Sequence, residues 1–376
     1  MALPLNIQSK ILMYCAAGLI LFFSCANGPK VIQIETECIP SAPPVNRVTL
    51  CAVGDNLIHI EIINDSRTEN GGFDFSPLYT YIKPQIKNAD IAFINMETIS
   101  AGVEFGISGY PKFNAPIELG DAVLDVGFNV INQATNHSLD KGEAALRKML
   151  AFWESKKTIC IGAFSSEKKR STPVIIEKNN ITFGFLSYTY GTNNEALPDN
   201  SPYLVSLIDT KVMKREIAAL RPLCDYLVVS MHWGEEYRTI PNVSQEKLAQ
   251  FLAEQNVDLV LGHHPHVLEE VRLIKRPDNS YMPVYFSLGN FISAQKNPET
   301  MLGGMAHVII EKNETSTRTV LYELIPLVTH YEKNDKGFRV IPLADYTEEL
   351  AVRHGIGPLN IEKIRKKFTL IKEGKW

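Results

Sequence analysis

The sequence predicts an α/β fold in which two mixed β-sheets are flanked by helices. Short apolar runs separated by helical stretches dominate the early part of the chain, and hairpin-like β-rich segments follow later. Composition agrees with a packed protein: 45% of the 376 residues are hydrophobic and 21% charged, as in ordinary globular chains. With Lys+Arg 38 against Asp+Glu 42 the net charge is −4, which gives no basic footprint for nucleic acid. Six cysteines are too few over this length for a disulfide scaffold.

The expected buried strands are Val48–Val53, Ile91–Ile94, Val130–Asn132, Thr158–Ile161, Tyr226–Ser230 and Val257–Leu261. Between them, Gly142–Lys156, Asp209–Arg221 and Ser244–Gln255 carry helical spacing, with Ser244 as a plausible N-cap. Thr172–Tyr188 reads as a hairpin turning at Lys178-Asn179-Asn180, and Pro283–Phe286, Ala306–Ile310 and Arg318–Ile325 add later strands. The charged stretch Glu362 to Lys367 reads as the solvated face of a tail helix. Cys51, Cys160 and Cys224 lie in or beside apolar runs and are expected as buried free thiols.

The amino terminus departs from this average. Ile11 to Phe23 is apolar and uncharged, about 13 residues, short of the ~20 that cross a bilayer and matched to a secretory signal. Ser24-Cys25-Ala26 then resembles a bacterial lipoprotein cleavage site with Cys25 as the lipidated residue; a short uncleaved anchor is the alternative. Either places the body of the protein in the cell envelope, outside the cytoplasm. Residues 26–46 read as a Pro-rich tether, 47–330 as the main domain and 331–376 as an extension packed on it.

Polar residues gather where the strands end. Val53 leads into Gly54-Asp55, Ile94 into Asn95-Met96-Glu97, and Asn132 is followed by Asn136-His137 and Asp140. Ser230 leads into His232-Trp233-Gly234-Glu235-Glu236, and Leu261 into Gly262-His263-His264-Pro265-His266. Ligands of open α/β sheets bind beyond strand carboxyl ends. Carboxylate, amide and imidazole without cysteine suit a catalytic Mn, Fe or Zn centre better than a closed structural zinc. Six candidate ligands, Asp55, Glu97, Asn136, His232, His264 and His266, exceed the need of one ion and suit a pair roughly 3.5–4 Å apart.

Gly54-Asp55, Asn95-x-Glu97, Asn136-His137-x-x-Asp140-x-Gly142, His232-Trp233-Gly234-x-Glu236, Gly262-x-His264-Pro265-His266 and Ser287-Leu288-Gly289-Asn290-Phe291 together resemble the CapA family. That family is named for poly-γ-glutamate capsule synthesis and is similar to the calcineurin-like metallophosphoesterases; the resemblance covers about Val48 to Val328. It implies a four-layer αββα sandwich with a dimetal site at the shared edge of the sheets. It also implies Asp55 and His266 on one ion, Asn136, His232 and His264 on the other, and Glu97 bridging. By the same resemblance His137, oriented by Asp140, is the catalytic group, and Trp233, Glu235, Glu236 and Asn290 shape the substrate pocket.

Two departures weaken the first ion's site. Asp55-Asn56-Leu57 lacks the Asp-x-His of dimetal phosphatases, and Asn95 with Glu97 replaces the usual Asp pair. His59, four positions on, reads as an exposed loop residue, with replacement of that histidine as the alternative. The functional expectation is a metal-dependent phosphoesterase-like hydrolase acting on an anionic envelope polymer or a phosphoester precursor, beside capsule synthesis machinery. The alternative is a non-catalytic, lipid-anchored component that binds the polymer for export or anchoring.

Overall fold

Alternation within single strands decides the layering. In Tyr226–His232, Tyr226 and Val228 face one hydrophobic cluster while Leu227, Val229 and Met231 face another. The computed structural model describes residues 46–372. The signal segment, Cys25 and the tether up to residue 45 lie outside the described residues.

Strands β1 (Asn46–Asn56), β2 (Ile91–Asn95), β3 (Val130–Asn132) and β4 (Ile159–Ile161) run parallel, side by side. The chain then builds a second sheet from β5 (Ile175–Lys178), β6 (Ile181–Thr189), β7 (Tyr226–His232), β8 (Leu259–His263), β9 (Val271–Lys275) and β10 (Tyr281–Tyr285). Its order is β5-β6-β7-β8-β10-β9. Four strands return to the first sheet: β11 (Asn290–Ile292) parallel to β1, then β12 (Leu302–Lys312), β13 (Thr317–Glu332) and β14 (Lys336–Pro342) as an antiparallel run beyond β1.

Val48, Leu50 and Ala52 of β1 pack with Phe183 and Phe185 of β6 between the sheets. The opposite face of the first sheet is covered by helices Glu118–Val126 and Gly142–Ser155, through Leu119, Val123, Leu146 and Trp153. Helices Thr210–Leu220 and Val243–Glu254 cover the second sheet through Met213, Ile217 and Leu252. The result is the expected four-layer αββα sandwich of two mixed sheets.

Local chemistry explains the joints. Asn179 and Asn180 both take positive φ, +47° and +60°, which makes the tight two-residue turn of the β5–β6 hairpin. The helix expected to begin at Ser244 is capped two residues earlier: Asn242 accepts from Gln245 N, and the Gln245 side chain returns to Asn242 N. Strand β13 runs through position 330 and β14 pairs with it, so the tail contributes to the first sheet. Helix Ile361–Lys372 buries Ile361, Ile364 and Phe368 while Glu362, Lys363, Arg365 and Lys366 stay exposed. Cys51, Cys160 and Cys224 are free thiols; Cys160 is half-buried rather than buried. No helix among the described residues is long and apolar enough to cross a membrane.

The segment Phe286–Asn290 threads between the ends of β1 and β8. Asp55 N donates to Gly289 O and Leu288 N to Gly262 O, at 2.9 and 3.0 Å. A Cβ at Gly54 would lie 1.9 Å from Gly289 O, and one at Gly262 would lie 1.9 Å from Phe286 O. Only glycine fits either place, so the residues before Asp55 and His263 are fixed by this close approach.

Candidate metal centre

The carboxyl ends of β1, β2, β7 and β8 bring distant residues to one edge. Asp55, Glu97, His232, His264 and His266 are all buried there, as is Asn136. One donor atom each from Glu97, His232 and His264 lies within 4.8 Å of the others, and the same holds for Asp55, Glu97 and His266. Glu97 belongs to both groups. Its Oε1 is 3.5 Å from His232 Nε2 and its Oε2 is 3.8 Å from His266 Nδ1. Asn136 joins the first group, with Oδ1 2.9 Å from His232 Nε2, and its amide donates to Asn193.

The donor set fits divalent ions. Both Glu97 oxygens and His264 Nδ1 are buried without a hydrogen-bond partner. An unpaired buried carboxylate is strongly unfavourable unless a cation or proton meets it. Burial and the neighbouring Asp55 push the Glu97 carboxyl up to about 8. Burial also opposes charge on Asp55, but the hydrogen bond from His266, 3.1 Å away, and the surrounding imidazoles hold that carboxyl well below its usual range. Burial lowers His232 to about 3 and His264 to about 2, which keeps both rings neutral and able to ligate. His266 goes the other way: burial disfavours its charge, yet the Glu97 and Asp55 carboxylates outweigh this and raise it to about 9.

Backbone strain gathers at the same edge. His264 and His266 both sit at positive φ, +98° and +59°, and Tyr237 opposite them at +65°. Such conformations persist where the surroundings over-determine them, commonly at functional sites.

His137 Nδ1 lies 2.7 Å from Asp140 Oδ2, which also accepts from Phe113 N at 2.6 Å. Phe113 meets the imidazole edge-on, 4.7 Å between ring centres. Asp140 therefore fixes the ring by accepting a hydrogen bond from Nδ1–H, leaving Nε2 for chemistry.

The four residues expected on the pocket wall divide. Trp233 is corrected: it is buried in the cluster beneath the covering helices, stacked on Phe286, and its indole donates to Phe286 O at 2.9 Å. It follows His232 on the strand, so alternation turns it to the opposite face. Glu235 is also corrected, since it points outward and pairs with Arg238 at 3.0 Å. Asn290 Oδ1 lies 3.1 Å from His266 Nδ1 while its amide donates to Thr300 O and Gln295, so it steadies His266. Glu236 alone is exposed at the mouth, with a carboxylate oxygen within 4.8 Å of donor atoms of His264 and His266. His59 is half-buried rather than an exposed loop residue: Nδ1 lies 3.1 Å from Leu57 O and the ring meets Phe113 edge-on.

Further residues support the centre: Asn95, Asn132 and His263 stand in the strand-end segments already quoted, whereas Ser187 and Tyr190 do not. Asn95 donates to Asp55 Oδ1 at 2.8 Å, Asn132 to Asn95 Oδ1 at 2.6 Å and Ser187 to Asn132 Oδ1 at 2.5 Å, a relay that orients Asp55. His263 stacks on Phe93 with Nδ1 3.8 Å from Asp55. Tyr190, just past β6, lies 4.6 Å from the His264 ring. Its signal was available, because β6 is another strand whose carboxyl end reaches this edge.

Comparison with known sequences follows the same line. The chain is 26% identical to the "PGA biosynthesis protein CapA" of Bacillus subtilis, over 70% of this chain and 67% of that one. It is 26% identical to the "Capsule biosynthesis protein CapA" of Bacillus anthracis, over 75% of this chain and 67% of that one. Among solved structures, Haemophilus influenzae NAD nucleotidase matches at TM-score 0.46 and 11% identity, covering 88% of this chain and 61% of the other. The calcineurin-like phosphoesterase YfkN of Bacillus subtilis matches at TM-score 0.41 and 13% identity, covering 75% of this chain and 91% of the other. The family described as bacterial capsule synthesis protein PGA_cap matches residues 49–295, and the chain belongs to that family.

Proposed function

We propose that this protein is a metal-dependent phosphoester hydrolase of the bacterial cell envelope, acting on a capsule polymer such as poly-γ-glutamate or on its precursor. One observation carries the reading: Glu97 is buried with no hydrogen-bond donor, and its two oxygens face two separate histidine groups. That is the environment of a carboxylate that bridges two cations. Two divalent ions, Mn, Fe or Zn by the donor set, would generate hydroxide at neutral pH and polarise a phosphoryl oxygen. Asp55, Glu97 and His266 would hold one ion; Glu97, Asn136, His232 and His264 would hold the other. His137, held by Asp140 through Nδ1–H, would act as an imidazolium, passing its Nε2 proton to the leaving group and ending as the neutral ring. The capsule role draws on the names of the two Bacillus relatives. Lipid attachment at Cys25 would anchor the protein at the membrane beside its synthesis machinery, and intact mass of the membrane fraction tests it.

A second reading, a non-catalytic polymer-binding component, draws on Asn95. Its amide donates to Asp55 and its oxygen accepts from Asn132, so Asn95 orients its neighbour and leaves the Asp55 side short of a ligand. Turnover of bis-(p-nitrophenyl) phosphate by the Mn-loaded full-length protein separates the two. Hydrolysis that His137→Ala abolishes at unchanged metal content supports the hydrolase. Bound metal and bound poly-γ-glutamate without turnover support the binding component.

A further inference from the structure

Asp55, Glu97 and His266 make a cluster of three donors. The polar groups around it are committed elsewhere. Asn95 donates to Asp55, and Asn56 holds the Tyr79 hydroxyl through Oδ1 and turns its amide to Met96 Sδ. Asn290 is bonded to Gln295 and Thr300 O as well as His266. Among the described residues, one further acidic group reaches the imidazoles here: Glu236, whose carboxylate closes a third cluster with His264 and His266.

The loop that carries Glu236 is built to present it. Trp233 N donates to His263 O at 3.1 Å and Tyr237 N to Pro265 O at 2.8 Å, so the loop is tied on both sides of Glu236 to the segment bearing the two histidines. Gly234 takes φ +93°, and a Cβ there would lie 2.9 Å from the Gln245 side chain, which fixes the turn. Glu235 is held by Arg238 and Asn242, while its neighbour, also exposed, brings a carboxylate oxygen near His264 and His266. Tyr237 takes positive φ at the far end of the same turn. Two adjacent glutamates are thus sorted, one to a surface ion pair and one to the mouth of the metal centre.

We propose that Glu236 is an additional metal ligand that closes the Asp55–Glu97–His266 site from the solvent side, resting on the two-ion reading above. A carboxylate at this position would supply the oxygen donor and negative charge that the amide of Asn95 does not. Its other imidazole neighbour, His264, belongs to the Asn136–His232–His264 side, which is buried and already provided with Glu97, so the ligand is assigned through His266.

The test is titration of chelator-stripped full-length protein with Mn²⁺ alone, followed by calorimetry and by the electron paramagnetic resonance signal of spin-coupled Mn pairs. In wild type two ions bind and the coupled signal appears. Glu236→Gln is expected to weaken the looser ion by about tenfold or more, leave the tighter ion unchanged and convert the coupled signal to that of isolated Mn²⁺. Glu235→Gln, the same substitution at the adjacent glutamate that pairs with Arg238 and Asn242 instead, is expected to behave as wild type. Circular dichroism and melting temperature show that each variant is folded. A folded Glu236→Gln that keeps both ions at wild-type affinity, or that weakens both equally, overturns the assignment. Wild-type protein that binds no ion or a single one overturns the two-ion reading itself, which is a different failure.

Discussion

Two parts of the molecule bury histidines, and they do so differently. Near the carboxyl terminus, His330 and His354 pack edge to face, 5.2 Å between ring centres, with Tyr331 and Tyr346 around them. His330 Nδ1 lies 2.8 Å from the Tyr346 hydroxyl and His354 Nε2 2.9 Å from Thr329 O, while His330 Nε2 is buried without a partner among the described residues. Burial lowers both, His330 to about 3, and among the described residues no carboxylate hydrogen-bonds either ring. At the strand-end edge the rings face Asp55 and Glu97, and Glu97 finds no donor. A buried histidine bonded to neutral groups is packing. A buried histidine set against an orphaned carboxylate is a place for a cation.

Substitutions can break or sharpen that contrast. The largest effect is expected from His264→Ala, which removes a donor from the Glu97–His232–His264 group and should lose bound metal, measured by elemental mass spectrometry; His354→Ala should keep it. Next comes His137→Ala, expected to lower phosphodiester turnover by about 10²–10⁴ without changing metal content, with Asp140→Asn intermediate. Unchanged turnover would remove His137 from the chemistry. His354→Ala should instead cost about 1–3 kcal/mol of stability in denaturant titration, through the lost bond to Thr329 O and the lost ring packing.

A smaller effect separates the centre from its surroundings. Glu269 is buried, receives Gln245 Nε2 at 2.6 Å through Oε2, and leaves Oε1 unpaired; burial pushes its carboxyl up to about 8. The folded chain therefore holds a proton there that the unfolded chain releases near its ordinary value of 4.5. Stability from this group is full below the lower value and falls as pH rises towards 8, by up to about 1.4 kcal/mol per pH unit. Glu269→Gln should flatten that slope, and an unchanged slope would show Glu269 ionised. The smallest effect is expected at His59, where replacement by Ala should leave metal content untouched because its ring bonds to Leu57 O away from the clusters.

Much of this was legible because periodicity and burial speak locally. Val130–Asn132 and Gly142–Lys156 were found to within a residue, since an apolar run or a 3.6-residue repeat is written in consecutive positions. The strand-end clustering of Asp55, Glu97, His232, His264 and His266 was visible for the same reason. What stayed hidden depends on contacts made later in space. Asn290–Ile292 is a strand of three residues whose pairing with β1 exists only after the chain has returned from the second sheet. Helix Glu118–Val126 and strand β14 were not singled out, and β14 owes its place to pairing with β13. Trp233 could have been assigned from alternation alone, because His232 before it faces the centre. The sorting of Glu235 from Glu236 could not, because it follows from the outward pull of Arg238 and Asn242.

The proposed bridging role of Glu97 is tested by the metal content of full-length protein refilled with Mn²⁺ after chelation, compared with Glu97→Gln prepared the same way. Two ions per wild-type chain and fewer than one in the variant are expected. Equal content in the two proteins, or none in the wild type, would rule the bridge out.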